Sequence, residues 1–261
     1  MARAVSTVLD VALCLLLVGV AVGTLALAVP DDGQSMAVDS DADAKTVATV
    51  TATVSTGAES ESHATLAQHL VQAAIVNATL DGAELTTSKY PDEVRRAVGA
   101  NVDERVQVTA SWEPYHDSVL RSRISVGDTP PSTVDTAATR MTVESGVTPR
   151  DPDGTFESVA ESIAKAYVYR LFPPERTRVR LVDPRTAPAT ADRYRATARS
   201  IDVDIESPLA EASAERVNLK LVAALANSLE DDLRNKYGRV EAVPSGTDTR
   251  EVEIVVRRWE P

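Results

Sequence analysis

Between Val11 and Val29 the chain runs for 19 residues without a charge, and Thr7-Val8-Leu9 extends this stretch on the far side of Asp10. About 20 apolar helical residues match the roughly 30 Å hydrocarbon core of a bilayer. A helix in a globular core shows one apolar stripe, whereas this one is apolar on every side. The stretch therefore predicts a transmembrane anchor over residues 1–30, with residues 7–29 in contact with membrane lipid. Arg3 and the free amine precede it, and Asp31, Asp32, Asp39, Asp41 and Asp43 follow it. That asymmetry places the short N-terminus in the cytoplasm and residues 31–261 outside, as a single-pass cell-membrane protein.

Three fates of the anchor stay open. It is a retained signal anchor, or a secretory signal cleaved after Ala28, because Ala26-Leu27-Ala28 has the small-x-small form of a cleavage site. Against cleavage, the stretch exceeds the usual core of a signal peptide and its positive flank is thin. Alternatively, Arg3-Ala4-Val5-Ser6 resembles the class III signal of archaeal prepilins, which implies cleavage between Ala4 and Val5 with the helix kept. A lipoprotein signal does not fit, since Leu13 stands before Cys14 and the apolar core follows the cysteine. Cys14 reads as a small membrane-buried residue. Asp10 near the inner interface could pair with another helix or a new amine. Gly19 and Gly23, four apart, offer a small face for lateral helix packing.

Cys14 is the single cysteine, which excludes an intramolecular disulfide and a cysteine-based zinc site. With 27 Lys and Arg against 39 Asp and Glu, the net charge is −12. Nucleic acid is therefore not expected as a partner, because phosphate binding needs a cationic surface. High Asp and Glu, only five lysines, many arginines and 4% aromatics resemble proteins of halophilic archaea. Carboxylates hold water there while molar salt screens repulsion within about 3 Å.

Beyond the anchor the pattern predicts an α+β fold: a mixed ectodomain with antiparallel strands and a long C-terminal core helix. Residues 31–45 have the acidic, small-residue makeup of a flexible tether. A first ectodomain half covers 46–147 and a second 148–261, either as separate domains or around a shared core. In the first half, Val47, Val50 and Val54 suggest a strand near 46–56. Leu66, Leu70, Ala73, Asn77 and Leu80 suggest a helix near 60–80 that Gly82 stops. A short helix with Val94 and Val98 follows Pro91. Val106, Val108, Ala110 and Trp112 alternate as a half-buried strand, with further strands at 118–126 and 136–145. In the second half, Phe156 to Leu171 reads as a helix capped by Thr155 and ended by Pro173-Pro174. Arg176, Arg178 and Arg180 alternate with Thr177, Val179 and Leu181 as a strand, and 190–200 reads as a helix. Ser207 and Pro208 open a core helix of about thirty residues that Gly238 ends. Val252, Ile254 and Val256 form a last strand.

The stretch Val108 to Pro131, with Trp112-Glu113-Pro114-Tyr115 and Val126-Gly127-Asp128-Thr129-Pro130-Pro131, together with Ser6-Thr7-Val8-Leu9-Asp10-Val11-Ala12-Leu13, resembles an uncharacterised haloarchaeal family of single-span proteins. Those proteins are similar in setting to accessory components encoded beside type IV pilus or Tad-like secretion genes. The resemblance implies a minor pilin-like or accessory role, with protein partners in a surface assembly. It transfers no catalytic residue. The segment after Val5 lacks the Pro and Gly pattern of major haloarchaeal pilins, which speaks against a filament subunit.

Candidate chemistry is sparse. Ser162-Ile163-Ala164-Lys165 has the Ser-x-x-Lys form of penicillin-recognising enzymes, but the companion motifs are missing and the pattern falls on an amphipathic helix. Asp39, Asp41 and Asp43 mimic the first ligands of a calcium loop, yet Ala44 and Val50 stand where Gly and Glu are required. Asp151-Pro152-Asp153-Gly154 reads as a turn into the Thr155 cap. His63 and His69, six apart, cannot share a helix face for metal, and His116-Asp117 reads as a hairpin turn. Asn77-Ala78-Thr79 is a glycosylation triplet, although Asn77 lies on an apolar stripe. The arginines 176/178/180 and Arg257-Arg258 form either a solvated sheet face or a contact for acidic partners. No catalytic, cofactor-binding or metal residue is assigned, and a non-enzymatic surface protein is expected. A cell-surface sensor or solute-binding module is the alternative.

Overall fold

The computed structural model describes residues 39–55, 61–150, 152, 154–243 and 247–260. The expected anchor, its cleavage points and most of the tether lie outside the described residues. Among the described residues no helix is long and apolar enough to cross a membrane. Val38–Pro261 forms one compact unit.

The acidic stretch expected to stay flexible to residue 45 is helical from Asp41: α1 spans Asp41–Thr49. Asp39 accepts the Asp41 N–H at 2.8 Å. Asp41 and Asp43 in the first turn complement the positive helix end, and Ala44 and Val47 are buried. Burial of these two side chains is the gain that a composition-based tether reading omits. The strand expected near 46–56 shrinks to β1, Thr51–Ser55, which pairs antiparallel with β2, Glu61–Thr65. The helix expected over 60–80 is correspondingly α2, Leu66–Val76. It begins at a capping box in which the Thr65 hydroxyl and the Gln68 side chain satisfy each other's backbone N–H groups.

After α2, the two-residue strands β3 (Thr79–Leu80) and β4 (Ala83–Glu84) turn through Asp81 and Gly82, both at positive φ. Helix α3, Tyr90–Gly99, buries Tyr90, Val94 and Val98 one turn apart. Strands β5 (Val106–Trp112), β6 (Leu120–Val126) and β7 (Thr136–Glu144) follow. Alternation places Val106, Val108, Ala110 and Trp112 of β5 under the helices with Leu120, Ile124 and Val126 of β6, all buried. Gly127 closes this pairing: it sits at φ +83°, and a Cβ there would lie 2.1 Å from the Val106 carbonyl oxygen.

Helix α4, Phe156–Leu171, carries the expected Thr155 cap. The Arg176–Leu181 run is not a strand but α5, Pro174–Val182. Pro174 at its first turn is preorganised for a helix, and Thr177 and Leu181, four apart, are the pair it buries. Helix α6 spans Ala187–Ser200. The expected thirty-residue helix from Ser207 is broken into α7 (Glu206–Ala210) and α8 (Ala214–Lys236). Ala212 at φ 51° makes the break, and α8 ends before Gly238, at Tyr237. Val217, Leu221, Leu225, Leu229 and Leu233 form its buried stripe. A short helix α9 (Thr247–Arg250) leads into β8, Glu251–Trp259.

Six strands make one antiparallel sheet in the order β4-β3-β6-β5-β8-β7. Strand β8, from the last part of the sequence, lies between β5 and β7, so the 46–147 and 148–261 halves build one sheet over one core. Ala110 faces Ile124 and Ile254, and Met141 of β7 faces Ile254 from the other side of β8. Helices cover this side of the sheet: α4 packs along α8, Tyr167 stacks on Trp112 at 5.5 Å and donates 3.2 Å to the Ile75 carbonyl of α2. The other side is polar, with Ser111 opposite Arg123 and Glu253. Helix α1 is tied to this frame by Arg258, 2.8 Å from Asp43 and 3.3 Å from Asp103, and by Thr139, which donates 2.6 Å to Asp41.

Candidate functional site

The residues singled out in the sequence are largely occupied with holding the fold. The Ser162 hydroxyl donates 2.6 Å to the Arg150 carbonyl, so its proton is committed to the backbone instead of Lys165, which lies 5.9 Å from the Tyr169 ring centre. Asp39, Asp41 and Asp43 face three different partners: the Asp41 N–H, Thr139 and Arg258. His63 is on β2, 3.1 Å from Thr53 across the hairpin. His116 is exposed beside Glu113 and Asp117, in the turn between β5 and β6. Among the described residues no group of three or more His, Cys, Asp or Glu is arranged to hold a metal. Asn77 ends α2, and its amide nitrogen donates 3.1 Å to the Arg123 carbonyl, so a glycan there would have to displace that bond.

His69 is buried on α2. Its Nε2 lies 3.0 Å from the Ala52 carbonyl and its Nδ1 2.7 Å from the Tyr90 hydroxyl. A carbonyl can only accept, so Nε2 carries a proton; in the neutral ring Nδ1 then accepts from Tyr90. Burial pushes the Tyr90 phenol up to about 12, with Arg170 pulling the other way.

This pair stands on the wall of a cleft of about 570 Å³. Arginines dominate the remaining wall: Arg170 at the end of α4, Arg176 and Arg180 one turn apart on α5, and Arg193 on α6, with Glu61 as its one carboxylate among the described residues. Arg178, on the opposite side of α5, instead meets Glu175 at 3.4 Å. The Arg170 guanidinium is held by the Ser145 carbonyl at 3.3 Å and Gln72 at 2.5 Å. Gly146 makes room for it, since a Cβ there would come within 2.7 Å of Arg170 Nε. Arg193 lies 5.4 Å from the Phe172 ring centre, and Phe172 stacks on Tyr194 at 4.1 Å. The Nε of Arg193 is buried with no hydrogen-bond partner among the described residues. Loss of hydration holds Arg193 and Arg170 below the usual arginine range, and the neighbouring charges of Arg180 and Arg176 add to it.

Beneath the cleft, Asn218 of α8 is fully buried. It accepts from the Tyr194 hydroxyl at 2.7 Å and donates to the Phe172 carbonyl at 2.8 Å, which ties α8 to α6 and to the α4–α5 junction. Sequence reasoning missed His69, Arg170, Arg193 and Asn218 as members of one site. It noted Arg176 and Arg180 but put them on a strand with Arg178, where all three would share a face. The readable signal was an arginine-rich run, 170 to 180, in an acidic chain.

No curated protein and no solved structure matches the chain. A model of the family of unknown function DUF7284 matches residues 9–259, nearly the whole sequence, and the chain belongs to that family.

Proposed function

We propose that the protein is a membrane-tethered, non-enzymatic surface component, with residues 31–261 outside the cell, serving as an accessory or minor pilin-like part of a type IV pilus-like or secretion assembly in a halophilic archaeon. The observation that carries this reading is the 19-residue uncharged stretch Val11–Val29, which matches the length of a membrane span. The net charge of −12 supports a surface kept hydrated in salt. The capped, hydrogen-bonded roles of Ser162, Asp41 and His63 are those of structural residues. Intact mass of the native protein tests the reading. A start at Met1 or Val5 agrees with a retained anchor, and a start near Val29 refutes it.

A cell-surface solute-binding module is the second reading, favoured by the arginine-lined cleft between α4, α5 and α6.

A further inference from the structure

We propose that the arginine-lined cleft is an oxyanion-binding site for a small, multiply charged molecule of the phosphate-ester or polycarboxylate class. This deepens the solute-binding reading and stands apart from the membrane tether.

Four arginines, Arg170, Arg176, Arg180 and Arg193, border one concavity, and Glu61 is its one carboxylate among the described residues. The chain holds 39 acidic residues to 27 basic ones, so carboxylate partners are plentiful. Arg95, Arg178, Arg216 and Arg234 each have one, and Arg195 has two. None of the four cleft arginines forms an ion pair among the described residues. A local excess of positive charge inside an acidic protein raises the free energy of the empty cleft, and an entering anion relieves it.

Arg193 lines the cleft, and its buried Nε–H has no acceptor among the described residues. A donor withdrawn from water without an acceptor is costly and rare in folded proteins. A guanidinium presents its donors in a planar fork that matches the paired oxygens of phosphate and carboxylate. The forks are also preset: Arg170 is pinned by Ser145 and Gln72, and Arg193 rests on Phe172. Preset donors spare a ligand much of the ordering cost. At about 570 Å³ the cleft falls in the range of small-molecule sites, roughly 300–1,000 Å³.

Isothermal titration of the full chain in detergent tests this, using sodium pyrophosphate in one arm and sodium citrate in the other at fixed ionic strength, with sodium chloride as blank. Saturable one-site binding is expected in at least one arm. Tighter pyrophosphate assigns phosphate esters, and tighter citrate assigns polycarboxylates. Arg193→Gln weakens binding at least about tenfold, as loss of a charge-assisted bond implies. Arg178→Gln, facing away, leaves it within about twofold. If Arg193→Gln does not fold, Arg176→Gln and Arg180→Gln carry the test, each weakening binding severalfold. No saturation by about 10 mM in either arm, equal weakening by Arg178→Gln, or unchanged binding in both α5 variants overturns the proposal. None of these results bears on where the protein starts or whether it is membrane-bound.

Discussion

Removing the Asn218 side chain isolates the polar tie that supports the cleft. Asn218→Ala takes a partner from two groups at once: the Tyr194 hydroxyl, which donates to it and keeps only its bond with Thr177, and the Phe172 carbonyl, which accepts from it. Both lie in a fully buried environment, with Tyr194 at 0% and Phe172 at 1% exposure, so water does not readily replace the lost partner. At about 1–3 kcal/mol for each unsatisfied group, the loss is about 2–6 kcal/mol. For a folded unit of this size that lowers the melting temperature by about 5–15 °C. The Tyr194→Phe background removes that hydroxyl, so Asn218→Ala costs about 1–2 kcal/mol less there than in the parent. Thermal and urea unfolding followed by circular dichroism measures all four proteins of the cycle. A loss below about 0.5 kcal/mol, or strictly additive losses, refutes the inferred coupling of α8 to α6 and the α4–α5 junction.

Gly127→Ala destabilises the chain by about 3 kcal/mol or more, because a Cβ 2.1 Å from the Val106 carbonyl oxygen forces the β5–β6 pairing apart; an unfolding curve matching the parent contradicts the register. Tyr90, Tyr115, Tyr167 and Tyr194 are all raised, chiefly by burial. A raised folded-state value contributes stability that is full below the unfolded value near pH 10 and is lost as pH rises through the folded value. Ultraviolet titration therefore shows these four ionising only as the fold is lost in strong alkali, and smooth titration at pH about 10 in the native state contradicts this. Arg258→Gln breaks the partly buried pair with Asp43, costs about 1–3 kcal/mol, and opens α1 to limited proteolysis near residues 41–49. Proteolysis unchanged from the parent counts against the docking of α1.

The elements legible in the sequence are those whose burial follows one local period. Val106 to Trp112 alternate because one face of β5 is under helices, and Val217 to Leu233 recur because α8 shows one stripe to the core. The α4 cap at Thr155 is equally local. The Arg176–Leu181 run defeated the same reasoning, since alternating arginines fit a strand as well as a helix, and the choice fell to Pro174 and the seats of Thr177 and Leu181. Helix α1 was hidden because its acidic, small-residue composition matches a linker, while the polar ties that dock it beside the burial of Ala44 and Val47 come from Arg258 and Thr139, more than ninety positions away. The cleft was illegible for the same reason. Its wall draws on α2, α3, α4, α5 and α6, and no single stretch of sequence shows that Arg193 lacks an acceptor.

The most direct measurement is alkaline fractionation of native cells, followed by protease treatment of intact cells. The account predicts full-length protein in the membrane pellet after carbonate washing, released by detergent, with the folded unit 38–261 cut from outside. Recovery of the full-length chain in the soluble fraction without detergent, or protection of that unit in intact but not in lysed cells, contradicts it.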